Sequence, residues 1–289
     1  MRIIFATDLH GDKQKYDKLL NAAKTNSVDM VINAGDMLPK EGNLFRQGEF
    51  ITGFLTAHFN AFEEAGIYYL CYLGNDDLRI FDSLFDKTCG KFKFIRPIAQ
   101  RRVELKGYEF IGMNWVVDYP FRLKDRCRVD DKEYEFQEQF GTALLSTENG
   151  WQEIKNWPSY AKALPSVEEE LDALAIPVKM EKAIYVIHMP PYGMGLDMCL
   201  SGKTVGSNAV LRFLKKQQPK LSLHGHIHES PEISNRWCER IGKTCCIQPG
   251  QSDRLTYVLI DLEEMIFTRV VGSKTSQTIY GCSESNLPA

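Results

Sequence analysis

Arg2-Ile3-Ile4-Phe5-Ala6-Thr7-Asp8-Leu9-His10 is the stretch on which the reading of this chain turns. Four apolar residues follow Arg2, residues 7–12 are polar, and Tyr16, Leu19, Leu20 and Ala23 then recur at helical spacing. The order strand, loop, helix is therefore expected. The same grammar returns at residues 30–33 with a helix near 49–64, and at 67–73 with a helix near 78–87. Repetition of this kind predicts a βαβ sheet. Beyond it the texture changes. Residues 101–105 and 108–113 flank Lys106-Gly107 and predict a β-hairpin, after which the order of elements is mixed.

From 115 to 181 the periodicity is weak. Twelve of the 21 residues from 118 to 138 are charged, which predicts a solvated cap or insertion rather than core. Ser166-x-x-Glu169 supplies a capping box for a helix over 168–174. Strands are expected at 182–187, 221–223, 243–247, 255–261 and 266–271, with a helix over 208–218 and a loose tail over the last dozen residues.

The composition agrees with a folded α/β chain. Of 289 residues, 44% are hydrophobic and 25% charged, which excludes disorder, collagen and coiled coil. The longest apolar run, 67–73, has seven residues, against roughly 18 to 20 for a membrane helix, so no membrane span is expected. The apolar run before Thr7, residues 3–6, has only four residues, too few for a secretory h-region, and a cytoplasmic chain is expected. The eight cysteines form no Cys-x-x-Cys pair and are read as reduced thiols. A formal charge of −3 and a sequence pI near 6.1 disfavour extended nucleic-acid or membrane-surface binding.

Histidine carries the chemistry. Five of the six, His10, His188, His224, His226 and His228, stand beside predicted strand ends, and only His58 falls in a helical pattern. In open α/β sheets, loops leaving the carboxyl ends of strands converge on one crevice. Those loops here are Asp8-Leu9-His10, Gly35-Asp36, Gly74-Asn75-Asp76-Asp77, His188-Met189-Pro190-Pro191 and His224-Gly225-His226-Ile227-His228. Carboxylates, imidazoles and an amide suit divalent transition metals, whereas calcium would want more oxygen. The glycines before Asp36, Asn75 and His226 are read as sharp turns. Taken singly each piece is weak, since Asp8 suits a helix-start loop, Gly35-Asp36 a turn, Asn75 a turn former and His188 a hydrogen-bonded strand end. Five such pieces in order, each at a strand exit, are not accounted for that way.

These motifs resemble the calcineurin-like metallophosphoesterases, whose signature is Asp-x-His, Gly-Asp, Gly-Asn-His-Asp/Glu, a later His, and Gly-His-x-His. The resemblance covers residues 2–77 and 185–250, where Gln248-Pro249-Gly250 matches the family's later turn. It implies an α/β fold, a four-layer α/β/β/α sandwich of two mixed β-sheets flanked by helices, with 115–181 as a helical cap insertion in a single domain spanning 1–289. It implies two divalent metal ions, manganese, iron or zinc: one on Asp8, His10, Asp36 and His228, the other on Asp36, Asn75, His188 and His226, with Asp36 as the bridge. Two ions about 3.5 to 4 Å apart clamp a phosphoryl group and acidify a shared water into a hydroxide nucleophile. His224 matches no ligand position and is expected to support the ligands.

One position departs from the signature. Asp76 stands where the family has His, while Asp77 matches the acidic position after it. The family His helps to protonate the leaving oxygen, and an ionised carboxylate beside two cations is a poor acid. Asp76 and Asp77 are the expected catalytic carboxylates. The expected function is a phosphodiesterase acting on a small or nucleotide-like phosphate ester through a metal-bridging hydroxide. The alternatives are a metal-binding regulatory module with little turnover, which Asp76 keeps open, and a nuclease, which the acidic pI disfavours. A structural metal protein is disfavoured because the ligands come from five distant loops. Arg122, Lys124, Arg126 and Arg128 are candidate phosphate contacts, weighed against the simpler reading of a solvated charged face.

Overall fold

The computed structural model describes residues 1–280. The chain begins β1 (Arg2–Ala6), α1 (Lys13–Thr25), β2 (Met30–Ala34), then a helical stretch of α2 (Gln47–Phe50), a π-helical turn (Ile51–Leu55) and α3 (Thr56–Ala65). It continues through β3 (Tyr68–Tyr72), α4 (Asp82–Cys89), β4 (Ile95–Pro97) and the hairpin β5 (Arg102–Leu105) and β6 (Tyr108–Met113). Residues 115–181 carry β7 (Val116–Val117), β8 (Cys127–Arg128), the hairpin β9 (Ala143–Thr147) and β10 (Gly150–Ile154), and the helices α5 (Trp157–Lys162) and α6 (Val167–Asp172). The last part runs β11 (Ala183–Ile187), α7 (Asn208–Gln217), β12 (Leu221–Leu223), α8 (Ser230–Ser234), β13 (Cys238–Ile241), β14 (Thr244–Ile247), β15 (Thr256–Asp261), β16 (Ile266–Val271) and β17 (Lys274–Tyr280).

Two sheets result. One has the order β17-β16-β15-β1-β2-β3-β4, with β1 to β4 parallel and β15 antiparallel to β1. The other has the order β13-β14-β12-β11-β6-β5, with β6, β11, β12 and β14 parallel. Alternation along the strands explains the layering, because successive side chains point to opposite faces. Ile3, Phe5, Met30 and Ile32 face the second sheet and pack with Phe110, Ile184, Val186 and Leu223. Their neighbours Ile4, Ala6 and Val31 face outward, onto Tyr16 and Leu19 of α1 and Phe59 and Phe62 of α3. On the other side Tyr185 and Ile187 meet Val210, Phe213 and Leu214 of α7. The architecture is the four-layer α/β/β/α sandwich, with every strand of the parallel core buried on both faces.

The charged stretch departs from expectation in half of its charges, while Arg122, Lys132, Glu133, Glu135 and Glu138 are exposed as expected. Asp118, Lys124, Asp125, Arg126, Arg128 and Asp130 are all buried. Each is paired: Lys124 with Asp118 at 2.7 Å, Arg128 with Glu170 at 3.1 Å, and Asp130 with the Ser207 hydroxyl and the first amides of α7. The Trp157 indole also donates to Asp118 at 2.9 Å. Burial of charge is tolerated only with such partners, so this part of the insertion is a polar core rather than a solvated face. The capping box at Ser166 and Glu169 forms as expected and starts α6. Of the loose tail expected over the last dozen residues, 278–280 belong to β17 and the rest lies outside the described residues. Among the described residues six cysteines are free thiols, but Cys245 is disulfide-bonded and departs from the reading of all eight as reduced. No helix among the described residues is long and apolar enough to cross a membrane.

His58 is a core residue, as its helical position implied. It is 5% exposed, edge-on to Tyr16, Phe62 and Tyr69. Burial holds its imidazole neutral, with the pKa lowered to about 3. An unfolded His titrates near 6.5, so below that pH the unfolded chain binds a proton that the folded chain refuses. Stability is then lost by about 1.4 kcal/mol per pH unit between roughly 6.5 and 3. Urea unfolding at pH 7.5 and 5.5 is expected to show this loss in the wild type, and a smaller one in His58→Leu.

Candidate metal centre

The carboxyl ends of β1, β2, β3, β11 and β12 lie side by side, and their loops bring the seven expected ligands together. Asp8, His10 and Asp36 offer ligand atoms that all lie within 4.8 Å of one another. A second set adjoins it. The Asn75 Oδ1 lies 2.9 Å from His188 Nε2 and 2.7 Å from His226 Nδ1, and His188 Nε2 is 3.6 Å from Asp36. Asp36 therefore belongs to both. His228 closes the first set from the rim, its ring 5.7 Å from that of His10 and its side chain 39% exposed.

The backbone is bent to achieve this. Asp8, His10, Asp36 and His226 all have left-handed φ, between 45° and 69°, a conformation costly for residues with a Cβ and concentrated at functional sites. The three glycines play two roles rather than one. Gly35 has φ 98° and is a turn residue, as expected. Gly74 is not in that region; a Cβ there would collide with the Asp36 amide and carboxylate, and one on Gly225 would collide with the Thr7 hydroxyl. At these two positions the requirement is close approach of loops, which sequence reading mistook for turn geometry.

Asp8 and Asp36 are 0% and 2% exposed. Burial, with the neighbouring Asp36 charge, raises the Asp8 carboxyl above its usual range. Burial acts the same way on Asp36, but His188 outweighs it and holds that carboxyl low. His188 is raised to about 9: burial alone would lower it, and the charges of Asp36 and Asp8 prevail. Its Nδ1 contacts the Ala34 carbonyl at 2.6 Å, so that nitrogen carries the hydrogen and Nε2 is left to face the carboxylates. Burial keeps His10 and His226 neutral, both lowered to about 3. Both ring nitrogens of His10 are buried and have no hydrogen-bond partner among the described residues. Buried polar atoms normally find partners. Orphaned imidazole nitrogens beside two buried carboxylates fit a divalent cation.

His224 has the supporting position expected of it. Its Nδ1 lies 3.0 Å from the Ile187 carbonyl and 3.1 Å from that of Met189, one on each side of His188. Asp76 reaches the site: its amide donates to Asp36 and its carboxylate lies 3.8 Å from His10. Asp77 does not fit the catalytic role expected for it. It is fully buried, and its carboxylate accepts from the amides of Met37, Leu38 and Gly74 at 2.7 to 2.9 Å. Those bonds bind the Asp36 loop to the Asn75 loop and leave nothing for a substrate.

The expected phosphate contacts are also committed elsewhere. The Arg126 Nε donates to the Gly74 carbonyl at 2.7 Å and its other nitrogens pair with Asp82. Lys124 and Arg128 sit in the buried pairs described above, and Arg122 donates to the Thr142 carbonyl at 3.1 Å. Other residues matter more than sequence reading indicated. The buried Gln47 amide bonds the Pro39 and Asp76 carbonyls and the Leu78 amide. Asn114 bonds the Leu73 carbonyl at 2.7 Å, and Gln248 bonds those of Gly225 and Ile227. Only Gln248 had a sequence signal, as part of Gln248-Pro249-Gly250. Lys40, exposed on the loop after Asp36, makes no ion pair or hydrogen bond among the described residues, and its charge is felt at His10 and Asp76.

The sequence matches the model of the calcineurin-like phosphoesterase family over residues 1–230. The chain belongs to that family. Among curated proteins none matches the sequence. Solved structures share the fold at low identity. TT1561 of Thermus thermophilus is 18% identical with a TM-score of 0.58, over 93% of this chain and 98% of that one. A dimetal phosphatase from Danio rerio is 10% identical with a TM-score of 0.54, over 97% and 98%. GAP50, the anchor in the inner membrane complex of Plasmodium, is 13% identical with a TM-score of 0.50, over 97% and 88%. The calcineurin-like fold here extends past the matched residues, since β15 pairs with β1.

Removing the Asp77 carboxylate leaves three buried amides without acceptors, each costing roughly 1 to 3 kcal/mol. Asp77→Ala is expected to lose about 3 kcal/mol or more of stability by denaturant unfolding, a loss that a residue acting only on substrate would not cause.

Proposed function

We propose that this calcineurin-like phosphoesterase is a metal-dependent phosphodiesterase with a two-ion centre, acting on a small or nucleotide-like phosphate ester. The observation that carries the reading is the pair of buried carboxylates, Asp8 and Asp36, beside the unpartnered His10 nitrogens, with Asn75, His188 and His226 grouped on the other side of Asp36. Asp8, His10, Asp36 and His228 would hold one ion and Asp36, Asn75, His188 and His226 the other. The ions, manganese, iron or zinc, would polarise the phosphoryl group and lower the pKa of water in the site. The chain's own part is orientation. Asp77, Gln47 and Asn114 fix the Asn75 loop, His224 fixes the strand end carrying His188, and Lys40 is the cation placed to meet an incoming phosphate. We assign residues 115–181 to a cap that forms one wall of the site, since Tyr119 lies 5.9 Å from His226 ring to ring.

Asp76 shapes the substrate class. Burial and the Asp36 charge raise the Asp76 carboxyl to about 8 in the metal-free chain; bound cations would oppose that rise and favour the carboxylate, a poor proton donor, so esters with acidic leaving groups, such as aryl phosphodiesters or pyrophosphate bonds, would be favoured. The same residue supports a second reading, a metal-binding module with little turnover, and a protein of this fold serves as an anchor in Plasmodium.

Elemental analysis of the purified protein is expected to find about two ions per chain. Hydrolysis of a bis-aryl phosphate with manganese should exceed that of the mono-aryl ester and fall to background in Asp36→Ala. Bound metal without turnover would favour the module, and absence of metal would overturn both readings. Asp76→His is expected to raise turnover on alkyl phosphate esters about tenfold or more; unchanged turnover would contradict the account of the leaving group.

A further inference from the structure

On the other side of the Asn75 loop from its clamp on Asp36 lies a second cavity, of about 180 Å³. It is lined by Arg79, Arg101, Arg126, Asp82, Asp86 and Trp115, with Tyr72 and Leu73 leading from it into the loop. None of the seven metal-ligand candidates lines it. Three guanidiniums therefore meet two carboxylates. Arg101 pairs with Asp86 and Arg126 with Asp82. The Arg79 guanidinium has no ion pair or side-chain hydrogen bond among the described residues; it lies over the Trp115 ring, 5.3 Å from its centre. Trp115 is 9% exposed, and its indole Nε1, a donor only, is buried without a partner.

Arg79 is exposed and shares the Trp115 ring with Arg128, 3.7 Å from its centre, so the cavity wall carries one guanidinium more than its carboxylates neutralise, and that surplus favours an acceptor of negative charge. Arginine meets phosphate oxygens through paired N–H bonds. Pockets for drug-sized ligands run from about 300 to 1,000 Å³, so a cavity of about 180 Å³ has room for an oxyanion but not for a nucleoside attached to it. We propose that this cavity binds a free oxyanion of phosphate size, at a site distinct from the metal centre. It is wired to that centre through two hydrogen bonds, Arg126 to the Gly74 carbonyl and Asn114 to the Leu73 carbonyl. The released product of a phosphomonoester hydrolysis would have this chemistry, but the site does not depend on the hydrolase reading.

Calorimetric titration of the full-length protein with inorganic phosphate tests it. Asp36→Ala, with the metal centre disabled, is expected to retain one phosphate site, and adding Arg79→Ala should weaken that site about tenfold or more. Because Asp36→Ala also removes the bond to the Asp76 amide, Arg79→Ala is tested alone: one phosphate site should weaken by the same factor relative to the wild type, with metal content and aryl-ester turnover unchanged. Loss of all phosphate binding in a folded Asp36→Ala protein, or indifference of binding to Arg79→Ala, would overturn the site. Failure of the metal-centre reading would show separately, as a wild type without metal that still binds phosphate through Arg79.

Discussion

The repulsion between two carboxylates held out of water governs this structure. Asp8 and Asp36 are buried at the ends of neighbouring parallel strands, where the low local dielectric magnifies their mutual repulsion. Only positive charge between them makes the arrangement tenable. Without an ion, His188 takes a proton and supplies that charge. A bound ion would supply that charge instead, and Nε2 would then be free to ligate, because Ala34 already engages Nδ1. The fold thus maintains a cluster of side chains whose electrostatics call for a cation.

Holding that cluster in place requires support from outside it. Left-handed backbone at Asp8, His10, Asp36 and His226 is unfavourable locally, and persists because neighbouring structure over-determines it. The Asp77 carboxylate ties two ligand loops together through three amides. Gln47, Asn114 and Arg126 anchor the same loop from a helix, a strand exit and the insertion. Gly74 and Gly225 let the loops pass within contact distance. The left-handed backbone trades stability for position, and the hydrogen bonds around it offset that cost, which is the usual economy of a preorganised site.

Residues 115–181 contribute more to this support than their composition suggested. Charges there sit in buried pairs such as Lys124 with Asp118, and one of the arginines holds the Gly74 carbonyl. A charged residue is placed by its partners, and the partners here are far away in sequence: Arg126 reaches Asp82, and Asp130 reaches Ser207.

Local sequence determined the parallel strands, the helices after them, the later hairpin and the capped helix at Ser166, because periodicity, turn residues and caps act over a few neighbours. It also marked the seven ligand candidates, since polar residues at the exits of apolar strands have few other uses. Short-range signals could not show that Asp77 faces three amides instead of the site, that Gly74 and Gly225 serve close approach, or that the charges near Arg126 are buried. Nor could they mark Gln47 and Asn114, which carry no motif. Those roles are decided by which loops the two sheets bring together, and burial and pairing exist only once the chain is folded.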